Sequence, residues 1–200
     1  MYESSMRVSE LIDLARASAD IAPEIDDDYY LLWLNSLESL IYTGILRQSV
    51  IRECTVYDGV IDLALLQPEA GEAMPRGCDV RSVYLGAREL VRVGADVFLA
   101  HPEKSCFYTL GDKVHLNCPY GVGSRARVAV TVRPERKGED GMSAYVALPD
   151  EFLPMALDYL VGCAYALICE DNQAANRFAS YNAALDAFTE WVRKNEGGKE

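Results

Sequence analysis

The run from Met155 to Cys169 constrains the fold more than any other part of the chain. It is apolar or small at every position except Asp158. A helix without a polar face has to be enclosed by protein or by lipid. The run is shorter than the roughly 20 residues that a bilayer requires. The sequence therefore predicts a central helix buried by its own domain or by neighbouring subunits, and no membrane association.

Helical periodicity is found at both ends of the chain. A first helix is predicted over 8–16 with Ser9 as its cap, and a second over 26–47, opened by three consecutive aspartates. Near the other end, Asp150 is expected to cap the apolar helix, and a short polar joint at 170–172 predicts a helical hairpin. The last helix carries one apolar stripe, made of Phe178, Tyr181, Leu185, Phe188 and Val192.

Between these helices the chain reads as short β-branched runs interrupted by Gly, Pro, Asp and Asn. The turns Gly86-Ala87 and Gly111-Asp112 predict two tight hairpins, because glycine supplies the positive φ that such turns need. The middle is therefore expected to be a small antiparallel sheet. Its candidate strands are 82–85, 89–93, 106–110, 113–117 and 127–133.

The predicted fold class is α+β. Residues 1–49 and 147–200 are expected to form one helical bundle from both chain ends, and residues 50–146 a β-rich insertion. The formal net charge of -12 argues against a protein that grips nucleic acid, because phosphate contacts demand clustered Lys and Arg. The six cysteines are scattered and the first residues lack an apolar signal segment. The chain is therefore expected to be made in the cytoplasm, with its cysteines reduced.

Residues that could carry chemistry are few. His101, Cys106, His115 and Cys118 superficially resemble a zinc set, but neither pair has the usual Cys-x-x-Cys form. The glycine-rich stretch 121–124 lacks the lysine of a phosphate loop and is interpreted as a connector. With two histidines and no nucleophile elbow, the sequence offers no active site, so neither an enzyme nor a cofactor is expected.

One basic cluster stands out in this acidic chain. Alternation along the strand predicts a solvated basic face opposite valines, which a half-buried strand gives by default. The alternative is a docking patch for an acidic partner or a nearby DNA backbone, since arginine is favoured at interfaces. The cluster consists of Arg125, Arg127, Arg133, Arg136 and Lys137.

Six segments, taken in their order along the chain, carry a resemblance to a known family: Val8–Ile12, Trp33–Ser36, Asp79–Tyr84, His101–Tyr108, Leu148–Phe152 and Arg177-Phe178. In the order of these segments the chain resembles the head-tail connector proteins of tailed phages. These are also called adaptor or head-completion proteins, and the tail tubular protein A group shares their architecture.

The resemblance implies a structural virion protein, made in the host cytoplasm, that catalyses no reaction. It implies a ring, typically of twelve subunits, between the portal protein and a tail or nozzle protein, with DNA passing through the lumen without specific binding. It also implies that the C-terminal segment docks on the portal, which makes Trp191, Val192, Arg193 and Lys194 the candidate docking residues. Two alternatives stay open: a tail terminator or nozzle component, and a cytosolic metal- or ligand-binding domain.

Overall fold

A computed structural model describes residues 4–19, 25–117 and 124–196 of the 200-residue chain. The fold is mixed α and β and divides into two compact units. The first comprises Met1–Leu46 and Arg136–Glu200, and the second comprises Arg47–Glu135. The helices are α1 (Val8–Ala19), α2 (Asp27–Leu40), α3 (Ala95–Ala100), α4 (Leu153–Leu167) and α5 (Asp171–Glu196). The strands are β1 (Ser49–Thr55), β2 (Val60–Asp62), β3 (Val80–Leu85), β4 (Arg88–Arg92), β5 (Cys106–Leu110), β6 (Lys113–Asn117) and β7 (Arg125–Thr131).

The first unit is organised around α4, which is the apolar helix predicted from the sequence. It packs most extensively against α5 and also against α1 and α2, and residues of all four helices share one apolar core. Its own unit therefore covers most of its surface. Large apolar side chains are exposed at its C-terminal end, where Leu167 is 46% exposed and Ile168, just beyond the helix, is 44% exposed. Within the described residues, no helix combines the length and apolarity that crossing a membrane requires.

Helix starts in this unit differ from the predicted caps. Asp26 occupies the N-cap position of α2, but its side chain makes no capping hydrogen bond. Asp27 instead accepts a hydrogen bond from Arg16 at 2.5 Å, which joins α2 to α1. Asp150 lies in a 3-10 turn before α4 and accepts a hydrogen bond from the Ser5 backbone at 2.6 Å. These carboxylates therefore connect distant segments rather than closing the nearest helix end.

The predicted second helix is not a continuous α-helix. It begins near the expected residue, but Ile41–Leu46 form a π-helix after α2 ends at Leu40. Arg47 then adopts a positive φ of 46°, which ends the helical path two residues before β1 begins.

The second unit is built on a seven-stranded sheet in the order β1-β7-β3-β4-β5-β6-β2. Five neighbouring pairs are antiparallel, as the predicted antiparallel sheet requires, whereas β4 and β5 are parallel, which the sequence did not predict. The segment that connects these two strands contains α3, because parallel neighbours need a crossover connection. The candidate strands did not include β1 or β2.

Two tight hairpins form at the predicted turns. Gly86 and Gly111 each have a φ of +60°, whereas Asp112 lies outside the positive-φ region. A single positive φ at the first turn residue is the pattern of a type II′ turn. Strands β5 and β6, which flank Gly111, have the predicted bounds.

Candidate assembly surfaces

The last turns of α5 are anchored by aromatic rings. Phe152, just before α4, lies with its ring centroid 4.4 Å from that of Phe188 and 5.5 Å from that of Trp191. Val192 is buried in the same core. Trp191 is partly buried and packs against this core. Two of the four candidate docking residues therefore hold α5 in its own unit, and only their outer edges are available to a partner.

Arg193 and Lys194 project from the same turn. Their side chains are 75% and 78% exposed, and each lies 3.8 Å from a carboxylate oxygen of Glu190. Cations at the end of a helix also interact favourably with its dipole. Exposed pairs of this kind contribute little to stability. These two side chains can therefore leave Glu190 and bind a partner at a small cost in free energy. Their role in docking stays a prediction.

The predicted basic cluster is divided between the two units. Arg125, Arg127 and Arg133 belong to the second unit, whereas Arg136 and Lys137 belong to the first. Arg125 and Arg127 are exposed on β7, as the alternation predicts. The Arg127 guanidinium lies 5.7 Å from the Tyr84 ring centroid and donates a hydrogen bond to the Gly86 carbonyl at 3.0 Å. This strand face therefore presents Arg125 and Arg127 to any partner that binds the second unit.

Arg133 is bound within its own unit. It lies two residues beyond β7, and its guanidinium donates to both carboxylate oxygens of Asp79 at 2.8–3.0 Å. It also donates to the Met74 carbonyl at 3.2 Å. Asp79 is only 4% exposed, so this pair neutralises a buried charge. Arg133 therefore stabilises the sheet and is not free for docking.

Lys137 is likewise bound within the first unit. Its ammonium group pairs with the carboxylate of Glu38, which is fully buried, and its backbone exchanges two hydrogen bonds with the Asn35 side chain, at 2.8 and 2.9 Å. The second Glu38 oxygen accepts the Ala147 N–H at 2.8 Å. Arg136, the preceding residue, is exposed. Of the two cluster residues in the first unit, Arg136 faces solvent and Lys137 does not.

The residues considered for zinc binding have other contacts. His115 stacks on Tyr108 with ring centroids 4.6 Å apart, and Tyr108 also contacts Phe98 of α3. His101 lies 3.2 Å from Glu103, and Cys106 is buried. Cys118 and residues 121–123 of the predicted connector lie outside the described residues. Among the residues described, no three His, Cys, Asp or Glu side chains are grouped to hold a metal ion.

Several thiols and phenols are held in their protonated forms. Burial raises the pKa of Cys54 to about 11, with a further increase from the charge of Glu53. Burial also raises the pKa of Cys163 and brings the pKa of the adjacent Tyr159 to about 12. A nucleophilic cysteine requires a lowered pKa. Cys54 and Cys163 are therefore packing residues and not activated thiols.

Among the residues that the structure describes, Glu38 and Asp79 are the buried carboxylates, and neither was predicted from the sequence. Glu38 lies four residues after Leu34 on the apolar stripe of α2, and a charge at such a position signals a buried ion pair. Its partner could not be found by spacing, because Lys137 is 99 residues away in the chain. The same holds for Asp79 and Arg133, which are 54 residues apart.

A family model described as SU10 adaptor protein matches residues 6–198 of the chain. This match includes every helix and strand of both units. No curated protein matches the chain.

Proposed function

Because the chain belongs to the SU10 adaptor protein family, a family of structural phage adaptors, we propose that it forms a ring that joins portal to tail. In this proposal the ring completes the filled head and leaves a passage for DNA. The subunit acts by assembly and catalyses no reaction. The family match over residues 6–198 is the observation that carries the proposal.

The proposed subunit has a helical bundle domain from both chain ends and a β-rich insertion. The apolar core shared by α1, α2, α4 and α5 supports the bundle. A second core beneath the seven-stranded sheet supports an insertion that folds around its own apolar residues. The likeness to the tail tubular protein A group is part of the proposal and rests on this order of helices, sheet and helices.

An acidic subunit suits a DNA passage. The chain has 31 acidic and 19 basic residues, and two of its arginines or lysines are bound to the buried carboxylates Asp79 and Glu38. A surface with excess negative charge repels phosphate, whereas clustered Lys and Arg would bind it. DNA could then slide through a lumen lined by this chain without being held.

The end of α5 is the proposed contact with the portal. Its aromatic anchors fix the helix while Arg193 and Lys194 extend into solvent. A rigid element that presents exposed cations suits an acidic surface, because little side-chain order has to be created on binding. The β-rich unit would then face the tail or nozzle protein, with Arg125 and Arg127 as its basic contacts.

Binding to purified portal tests the proposal. Native mass spectrometry of the mixture is expected to show a cyclic complex with one copy of this chain for each portal subunit. A chain that stays unbound in the presence of portal would contradict the proposal. Images of particles that lack the protein distinguish this proposal from the alternative of a terminator or nozzle component. The proposal predicts tailless heads that lose DNA. Filled heads with shortened or open tails would indicate the alternative.

A further inference from the structure

Strand β1 is an open edge of the seven-stranded sheet. It pairs with β7 on one side and, among the described residues, with no strand on the other. Its pairing with β7 is continuous over seven residues and contains no register shift. An edge strand presents unpaired N–H and C=O groups to any extended segment that can reach them.

The outward peptide groups of β1 can be identified from the bonds at its two ends. The Val132 N–H donates to the Gln48 carbonyl at 2.8 Å, and the Val56 N–H donates to the Ser124 carbonyl at 2.8 Å. Hydrogen-bonded pairs alternate along an antiparallel ladder. The even-numbered residues of β1 therefore bond to β7, and the peptide groups that face outward are those of Ser49, Ile51, Glu53 and Thr55.

The opposite edge of the sheet is closed. Strand β2 has only three residues, and the N–H and C=O groups of Val60 both bond to Tyr57, at 2.8 and 2.9 Å. The Asp62 carboxylate accepts the Ala64 N–H at 3.0 Å and turns the chain into a 3-10 helix. Strand β2 therefore cannot accept a full strand from a second molecule.

Strand β1 lacks the features that usually protect an edge. It contains no proline, no lysine and no bulge. Its one basic residue, Arg52, is directed to Glu69 and Glu72, at 3.0 and 2.6 Å. The Ile51 side chain, at the third position of the strand, is apolar and 60% exposed. Charged side chains, prolines and bulges are the common means of preventing strand addition. On the exposed face of β1, Glu53 is the one charged side chain.

We propose that β1 pairs with β1 of a second copy of this chain, antiparallel and about a two-fold axis through Ile51. Only outward-facing residues form hydrogen-bonded pairs across the axis, so the register places Ile51 opposite Ile51 and Glu53 opposite Ser49. Such an interface is self-complementary, as two-fold symmetry requires. The paired isoleucines bury apolar surface that is exposed in the single chain.

Charge disfavours the registers reached by sliding the strands in one direction, whereas the opposite slide places Ile51 opposite Ser49 and loses the apolar contact between the two isoleucines. Sliding the strands by one hydrogen-bonded step in the first direction places Ile51 opposite Glu53, and a second step in the same direction places Glu53 opposite Glu53. In the proposed register the two Glu53 positions are four residues apart, about 14 Å along the strands, beyond the Debye length of about 8 Å at physiological salt. Each Glu53 also remains opposite Arg127 of its own β7.

This inference concerns the free chain and goes beyond the proposed function, since it needs neither portal nor ring. Sedimentation of the full chain without portal is expected to show a dimer in equilibrium with a monomer. Ile51→Pro removes an N–H that faces away from β7, so it is expected to abolish the dimer while the ladder with β7 remains. Ile51→Lys tests the same contact with the peptide N–H retained, and Ile51→Val is the matched control that should keep the dimer.

A chain that is monomeric up to its solubility limit would overturn the proposal. A dimer of unchanged affinity in folded Ile51→Lys protein would overturn it as well, because like charges directly opposite each other destabilise a cross-strand pair. Circular dichroism establishes that each variant is folded before sedimentation is interpreted.

Disulfide formation tests the register itself. The exposed Cys78 and Cys169 are first replaced by serine. In that background, oxidation with copper phenanthroline is expected to link Ile51→Cys chains, because opposite residues in a hydrogen-bonded pair have Cα atoms about 5.5 Å apart. Glu53→Cys chains should remain monomeric on a non-reducing gel. Equal cross-linking of both variants would overturn the register and with it the two-fold pairing through Ile51.

Discussion

The carboxylate of Glu38 in α2 is fully buried and binds the ammonium group of Lys137, which follows it by 99 residues in the sequence. Asn35, one helical turn before Glu38, bonds to both backbone groups of Lys137. The remaining Glu38 oxygen binds the Ala147 N–H. One turn of α2 therefore fixes the segment by which the chain returns to the helical unit.

Replacing Lys137 is expected to destabilise this unit strongly. Lys137→Met leaves the Glu38 carboxylate buried without a cation, and breaking a buried pair in this way costs about 3–5 kcal/mol. The free energy of unfolding, measured in urea for the transition of the helical unit, checks the value. Arg136→Met is the matched control, because Arg136 is the exposed neighbour and its loss is expected to cost less than about 0.5 kcal/mol.

The double variant Glu38→Leu with Lys137→Met tests whether the lost stability comes from the unpaired charge of Glu38. Removing both charges is expected to restore part of the lost stability, because no uncompensated ion stays buried. If Lys137→Met unfolded at the same urea concentration as wild type, the pair would not be structural.

Gly77 is expected to tolerate no side chain. A Cβ at this position would lie 2.7 Å from the Gly111 carbonyl oxygen and 2.9 Å from the Thr109 Cβ. The Gly77 N–H already bonds to that oxygen at 2.8 Å, so the two backbones cannot separate without losing a bond. Gly77→Ala should lower the free energy of unfolding of the sheet unit by about 1–3 kcal/mol.

Gly138→Ala is the control for this substitution. Nothing lies within 4 Å of a Cβ at Gly138, and its φ of -95° is allowed for alanine. Its stability should be unchanged or rise by about 0.4–1 kcal/mol, since alanine restricts the unfolded chain. Equal stability of the two variants would mean that the Gly77–Gly111 approach is not tight.

Stability is expected to fall at alkaline pH, partly through Tyr159. Burial raises its pKa from 10.0 to about 12, and the neighbouring Cys163 raises it further in the same direction. The contribution is fully present below pH 10 and is lost as the pH rises towards 12, because the unfolded chain releases its proton first. Urea midpoints measured from pH 9 to pH 12 should therefore fall less steeply in Tyr159→Phe than in wild type. Tyr57→Phe, at a side chain 58% exposed, should leave the steepness unchanged.

Portal binding is expected to depend on the exposed cations of α5. Arg193→Glu with Lys194→Glu should weaken binding at least tenfold while thermal stability stays within a few degrees, because both side chains are exposed. Val192→Ala provides the contrast: it removes buried volume, so it should lower stability by about 1–3 kcal/mol. Undiminished binding by the charge-reversed variant would place the portal contact elsewhere.

Local patterns were sufficient to predict much of this fold. The bounds of β5 and β6 follow from a Gly-Asp turn between β-branched runs, and α4 follows from fifteen residues with one charge. Strand β1 was missed because Arg52 and Glu53 interrupt its alternation. Arg52 is tolerated on the inner side because Glu69 and Glu72 neutralise it, and that pairing is not visible in a short window.

The candidate surfaces were harder to predict for the same reason. A run of basic residues looks uniform in sequence, yet Arg133 and Lys137 are bound to buried carboxylates 54 and 99 residues away. The parallel pairing of β4 with β5 likewise depends on a crossover and not on a turn. Long-range partners, which no local pattern encodes, decide which charges remain available at the surface.

Imaging of the assembled particle by electron cryomicroscopy tests the central claim most directly. The account predicts a ring of this chain between portal and tail, with the end of α5 against the portal and the β-rich unit towards the tail. A head-tail junction that is complete and contains no density for this chain would contradict it.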